Sequence, residues 1–517
     1  MTHYARAAAG AAALALLSAA AAAEPAPYAH VLLISVDGLH ALDLSNYAAS
    51  HPDGALARLA RGGTVYRHAT TPLVSDSFPG FAAQVTGGGP ATTGIYYDDS
   101  YDRSLFPPGS ACRGEPGTEV PFASEIDVDT KRSDAGGTVG RPLTQIDAAK
   151  LPLRKDGDAC TPVYPHDYLR VNTVFEVAHR HGGRTAWSDK HPAYEWLGGP
   201  SGQGLDELYE IEQDALIPGT KVKTTGSFAA ERDFDGRRVA ALLNMMRGLD
   251  GAGGAKVGVP ALFGMNFQAV SVGQKLPKGG PGDAPDRKGG YADASGTPND
   301  GLAEQLAYVD GALGDLVEGL KDNGLQASTL VVVSAKHGQS PIDPAALKPT
   351  DDAPLDKVPG HAFHDADDGA LIWLKPAERA AALPEALAFL QAHRGALGIG
   401  TIYPPAAVAS LFADPATDSR APDIVLGTDP GVVFTSGKKI AEHGGMSLDD
   451  RAVALVVSGP GVKAGVVDSA VATAQIAPTI LAALGYATDE LQAVKAEGTP
   501  VLPGLPFPGL IGRPAAP

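Results

Sequence analysis

The first strong pattern along the chain is an unbroken apolar run, Val31-Leu-Leu-Ile-Ser-Val36, closed by Asp37-Gly38. Branched side chains without polar alternation read as a strand buried on both faces, the mark of a parallel sheet. The pattern recurs at 329–334, Thr-Leu-Val-Val-Val-Ser, which runs into Lys336-His337-Gly338. Shorter runs at 64–68, 184–188, 260–270, 370–374, 423–426, 432–435 and 452–457 predict further strands. Helical spacing predicts helices near 52–61, 171–180, 239–248, 302–320, 376–394 and 472–484; in the fourth, Leu306, Val309, Leu313 and Leu316 share a face. Residues 75–86 predict a turn entering a helix, with Pro79 in its first turn. Strands alternating with helices define an α/β fold with a central, mostly parallel sheet covered on both faces.

Two segments interrupt this alternation. Residues 100–165 and 192–230 are rich in Gly, Pro and charge and read as loop-rich insertions in a single domain spanning 24–517. Cys112 and Cys160, the chain's two cysteines, fall in the first, and an even pair in an exported protein predicts a disulfide stapling it. Export is expected from residues 1–23. Arg6 precedes an Ala/Leu run too short for a membrane span, and Ala21-Ala22-Ala23 offers a cleavage site. The mature chain is expected to lack a membrane span and to be periplasmic or secreted. A net charge of −18 without a Lys/Arg run argues against a nucleic-acid-binding domain. It leaves a small anionic substrate open.

Asp37, His337 and His443 stand at or near strand ends, where open α/β sheets bind ligands, and their types suit one metal site. Ser77 and Ser75 precede a helix. A hydroxyl there can attack phosphorus if a cation or base activates it, or can simply cap the helix. These readings leave the two serines as rivals.

Together the motifs resemble the alkaline phosphatase superfamily, and within it the type I phosphodiesterase/nucleotide pyrophosphatase branch. Val36-Asp37-Gly38 is similar to that branch's first metal motif. Asp76-Ser77-Phe78-Pro79-Gly80 resembles its nucleophile motif, which implies Ser77 as nucleophile. Gly94-Ile95 through Tyr101-Asp102 and Ser334-Ala-Lys-His337-Gly338 resemble two later motifs, and His443-Gly444 the last metal histidine. The resemblance implies an exported, metal-dependent phosphoric ester hydrolase, a phosphodiesterase acting through a phospho-seryl intermediate on a small phosphorylated substrate. Asp37, His337 and His443 would be metal ligands.

The departures change the charge. Lys336 stands in place of a ligating Asp and Asp98 in place of an Asn; in the second metal's motif Gly273-Gln274 replaces Gly-His, and no carboxylate stands before it in the segment from Asn266 that includes Gln268. One divalent ion, zinc, is therefore expected rather than two. Lys336 and Asp98 are expected in the catalytic site, Asp98 compensating the lysine. Lys190, His191, Gln268 and Gln274 are expected to bind substrate. The cluster His364, Asp365, Asp367 and Asp368 reads as a solvated loop, with reach into the site or a separate Ca²⁺ site as the alternatives. Two other functions stay open: a binding protein on the same fold, and a sulfatase-like hydrolase, although the sulfatase nucleophile motif is absent.

Overall fold

The alternate residues of the first apolar run go to opposite sides of a sheet. Val31 and Leu33 join one buried cluster, and Leu32, Ile34 and Val36 join another. The computed structural model describes residues 28–507 except 131–137, 140–141, 212–213 and 436–438; the expected signal segment lies outside the described residues. In chain order the strands of the two larger sheets are β1 (His30–Val36), β2 (Thr64–Tyr66), β3 (Thr138–Val139), β4 (Thr185–Asp189), β5 (Glu207–Glu210), β6 (Leu262–Phe267), β7 (Thr329–Ser334), β8 (His361–Ala366), β9 (Gly369–Leu374), β10 (Ile399–Tyr403), β11 (Ile424–Thr428), β12 (Leu455–Ser458) and β13 (Gly465–Val467). The helices that bear on the site or its walls are α1 (Ala41–Ser50), α2 (Ala55–Gly62), α3 (Ser77–Thr86), α4 (Val174–Arg180), α5 (Phe228–Met246), α6 (Ala269–Lys275), α7 (Asp300–Asp322), α8 (Arg379–Ala392) and α9 (Ile476–Ala483).

The main sheet has nine strands in the order β13-β2-β12-β7-β1-β6-β4-β5-β3. Its five central strands, β7 to β5, are parallel. Helices α3, α4 and α9 cover one face, and α1, α2, α5 and α7 the other. Register places the chemistry. Val36 of β1 pairs with Phe267 of β6, Ser35 with Ser334 of β7, and Met265 of β6 with Ser188 of β4. The residues that follow these strands therefore emerge side by side at one sheet edge: Asp37, Gln268, Lys336-His337 and Lys190.

The strands predicted at 370–374 and 423–426 form, but in a second sheet. It is antiparallel, ordered β8-β9-β11-β10. Their continuous apolar character comes from being covered on both faces, by α8 on one side and by Tyr96 and Tyr97 on the other. The cluster around His364 is its edge strand β8 and the following turn, so a loop was the wrong expectation there. Residues 192–230 contain β5, whose Glu207 and Glu210 hid it from an apolar reading. The first insertion carries more regular structure than expected: besides β3 it holds short strands at Thr118–Pro121, Leu153–Asp156 and Ala159–Pro162. It holds the Cys112–Cys160 disulfide and sends Val120, Phe122 and Leu151 into the main core. No helix among the described residues is long and apolar enough to cross a membrane.

Candidate active site

Strand β1 ends at Val36, and Gly38, with a φ of +81°, then turns the chain sharply. A Cβ there would collide with the Gln274 side chain, so only glycine suits this turn. The turn leaves Asp37 1% exposed at the sheet edge. Its Oδ2 accepts from Asn266 Nδ2 at 3.1 Å and from Gln268 Nε2. Two ammonium groups flank the same carboxylate: Lys336 Nζ is 3.4 Å from Oδ1 and Lys190 Nζ 3.5 Å from Oδ2. Burial pushes the Asp37 pKa up, but Lys336, Lys190 and His337 together hold it well below the usual range.

Ser77 is the first residue of α3. Asp76 caps the helix, its carboxylate accepting from Phe78 N at 3.0 Å. Gly80, one turn on, lies directly against the Lys336 carbonyl; any side chain there would drive the helix off β7. This close packing brings Ser77 Oγ within 3.1 Å of His337 Nε2. The other ring nitrogen, Nδ1, donates to Gly338 O at 2.8 Å, so Nε2 carries the lone pair and Ser77 donates to it. Burial pulls the His337 pKa down to about 3, and the ring is neutral at physiological pH. Ser75 is engaged elsewhere. Its hydroxyl donates to Asp450 O at 2.6 Å and meets Thr71 Oγ1 at 2.7 Å.

Lys336 is fully buried. Its ammonium donates to Tyr194 OH at 2.7 Å, sits 4.7 Å over the Tyr194 ring, and lies 3.9 Å from Asp189 Oδ2. Its compensation comes from Asp37 and Asp189. Asp98, expected in that role, instead lines a pocket of about 400 Å³ in front of the site, where Lys190 and Lys275 are its main cationic neighbours. Lys190, His191, Gln268 and His443 line the same pocket. Burial pulls the Lys190 pKa down, yet Asp37, Asp189 and Asp98 hold it above its usual range. Gln274 does not line the pocket. It is fully buried beneath the Asp37 turn, donating to Gly38 O and Tyr291 OH at 2.8 Å and accepting from Gln339 Nε2 at 2.6 Å. Its expected contact with substrate is thereby corrected to a structural one.

His443 stacks near His337, ring centroids 4.0 Å apart, and its Nδ1 is 3.4 Å from Asp76 Oδ1. The structure adds neighbours that the sequence reading left without a role: Asp189, Tyr194, Lys275, Lys439 and Glu442. Asp367, from the acidic cluster before β9, also lines the pocket.

Two groups among the described residues have the donor types and spacing a divalent ion accepts: Asp367, Glu442 and His443, and, in a separate cluster, Asp356, His361 and His364. In the first, Glu442 is already paired with Lys275 at 2.6 Å and with Lys439. The ion expected on Asp37, His337 and His443 suits this arrangement poorly. Asp37 Oδ1 lacks a hydrogen bond, but an ammonium faces it. Each unit of charge on an ion about 4 Å from either lysine would be opposed by roughly 4 kcal/mol at an effective dielectric near 20.

The sheet order, the helices on both faces and the serine at a helix start beside the edge of the parallel strands define an alkaline phosphatase-like fold. Solved structures agree. Murine ectonucleotide pyrophosphatase/phosphodiesterase 5 matches with a TM-score of 0.52 at 15% identity, over 93% of this chain and 97% of that one. The alkaline phosphatase PafA matches with a TM-score of 0.58 at 14% identity, over 94% and 98%. The chain belongs to the type I phosphodiesterase/nucleotide pyrophosphatase family, whose model matches residues 31–447. No individually curated protein sequence matches it significantly.

Proposed function

We propose that this protein is an exported phosphoric ester hydrolase, a phosphodiesterase that attacks through Ser77. The observation that carries the reading is the Ser77–His337 pair, with its tautomer set by Gly338 O. A hydroxyl facing a neutral imidazole lone pair, with the imidazole oriented by a third group, is the arrangement of an activated nucleophile. In the reaction, Ser77 Oγ bonds to phosphorus and its proton passes to His337 Nε2. The bond from phosphorus to the leaving oxygen breaks, and that oxygen takes up, by way of water, the proton that His337 received. Lys190, at the pocket wall beside Gln268, meets the phosphoryl oxygens and balances charge that develops on them. Water then attacks the phospho-serine, releasing phosphate or a monoester and restoring the hydroxyl. Family membership supports the substrate class, and the structure of a related inactive murine enzyme was solved in complex with AMP. The disulfide fits an oxidising compartment.

The test is hydrolysis of bis-p-nitrophenyl phosphate by the purified chain. Ser77→Ala is expected to lower kcat by ~1,000-fold or more with the fold kept. Ser75→Ala is expected to act through stability alone, by loss of its two buried hydrogen bonds. Turnover that survives Ser77→Ala but not Ser75→Ala would assign the nucleophile to the wrong serine.

A further inference from the structure

We infer that Lys336 and Lys190 take the place of a divalent metal at Asp37, so that the Asp37–Ser77–His337 site works with ammonium groups and holds no ion. Two independent strand ends deliver these lysines. Lys336 comes from the residues after β7 and Lys190 from the residue after β4, and both reach the carboxylate of Asp37 within 3.5 Å. Neither is a mobile surface lysine. Lys336 is held by the Tyr194 hydroxyl at 2.7 Å and by the faces of Tyr194 and Phe81. Lys190 is 8% exposed and donates to Gln268 Oε1 at 3.4 Å.

The donor count at Asp37 points the same way. One of its oxygens already accepts from Asn266 and Gln268, and the other faces Lys336. The charge count closes as well. Asp37 and Asp189 carry two negative charges, Lys336 and Lys190 two positive ones, and all four are buried. A divalent ion added at Asp37 would face both ammonium groups across a carboxylate that is already paired with them.

Lysine supplies a different chemistry from a metal. Each ammonium donates up to three hydrogen bonds and a full positive charge, but it cannot coordinate the serine oxygen. Ionisation of Ser77 then depends on the imidazole of His337, whose lone pair faces the hydroxyl. The lysine substitution and the Ser–His geometry are thus two halves of one arrangement. The activity arm of the test rests on the hydrolase reading; the metal arms do not.

The experiment measures zinc content by plasma emission and unfolding temperature in excess ZnCl₂ or EDTA, for the full mature chain. Wild type is expected to unfold at the same temperature in both, and Asp37→Asn to change its zinc content not at all. The double variant Lys336→Asp/Lys190→Ala restores a second carboxylate and removes both ammonium groups. It is expected to gain about one zinc per chain and a zinc-dependent rise in unfolding temperature. A stoichiometric zinc in wild type that is lost in Asp37→Asn overturns the proposal, and so does a folded double variant that takes up no zinc. If the double variant fails to fold, the comparison of wild type with Asp37→Asn decides alone. Hydrolysis of bis-p-nitrophenyl phosphate that is unchanged by EDTA supports it further. Wild type with no hydrolysis at all would sink the hydrolase reading and leave the zinc comparison standing.

Discussion

Glu231 carries two carboxylate oxygens without a hydrogen bond in the interior of α5, 3.8 Å from the Arg238 guanidinium. Burial, and then the neighbouring Asp235, push its pKa up to about 8. The folded state therefore binds a proton that the unfolded chain gives up near 4.5. A raised pKa means the contribution is full below about 4.5 and is lost as pH rises through 8. Glu231→Gln keeps the shape of the protonated acid without the charge. It is expected to match wild type near pH 5 and to unfold at a higher temperature above pH 8, read from thermal melts across pH. A variant less stable than wild type at high pH would mean that the ionised form is the one the fold prefers. Buried charge of this kind also explains what the residue pattern concealed. Asp37, Ser77 and His337 were legible because each ends or begins an apolar element. Asp189 and Glu442 were not, because a buried carboxylate looks like a surface one until a lysine partner far along the chain, Lys336 for the first and Lys275 for the second, is known.

At the level of elements, helix α3 is the part that aims the proposed nucleophile Ser77, and Gly80 sets its distance from β7. Gly80→Ala would place a methyl against the Lys336 carbonyl, and the strand, paired on both sides, is the less able to yield. The helix start is expected to shift by a few tenths of an ångström or more. Turnover should then fall at least ~10-fold, with a stability loss of ~1–3 kcal/mol. Kinetics and denaturant melts on the same preparation check both; full activity with lowered stability would mean that Ser77 is positioned by something other than this contact. The pattern of apolar residues foretold α3 well and α5 badly. The predicted helix began at 239, whereas α5 starts at Phe228. Its first turns bury Glu231, Asp235 and Arg238, which breaks the apolar stripe. Asp235 meanwhile accepts from Gln268 N and Ala269 N and so fixes the start of α6 behind the pocket.

Over the whole molecule, the disulfide closes a 48-residue separation, and the segment it closes supplies Ala123 to the pocket wall. Restricting an unfolded loop of that length is worth roughly 4 kcal/mol in the chain-entropy model. Cys112→Ser/Cys160→Ser is expected to lower the unfolding temperature by several degrees and to raise KM more than it lowers kcat, since the wall and not the Ser–His pair is loosened. Unchanged KM with a large loss of kcat would place the insertion's influence on the chemistry itself. The parallel centre of the sheet was readable because parallel strands are buried on both faces. The antiparallel second sheet was not separable from it, because it too is covered on both sides and gives the same apolar signature.

The groups that converge on the serine come from positions 37, 77, 190, 337 and 443, and none of them meets the others through local contacts. Their assembly therefore waits for the most distant strand pairings, the slowest kind of contact to form. His443 is the last of these groups along the chain, and more than four-fifths of the sequence precedes it. Hydrolysis is then the last property to appear during refolding, behind helix content and behind core burial, which makes catalytic activity a stringent reporter that the entire sheet has closed.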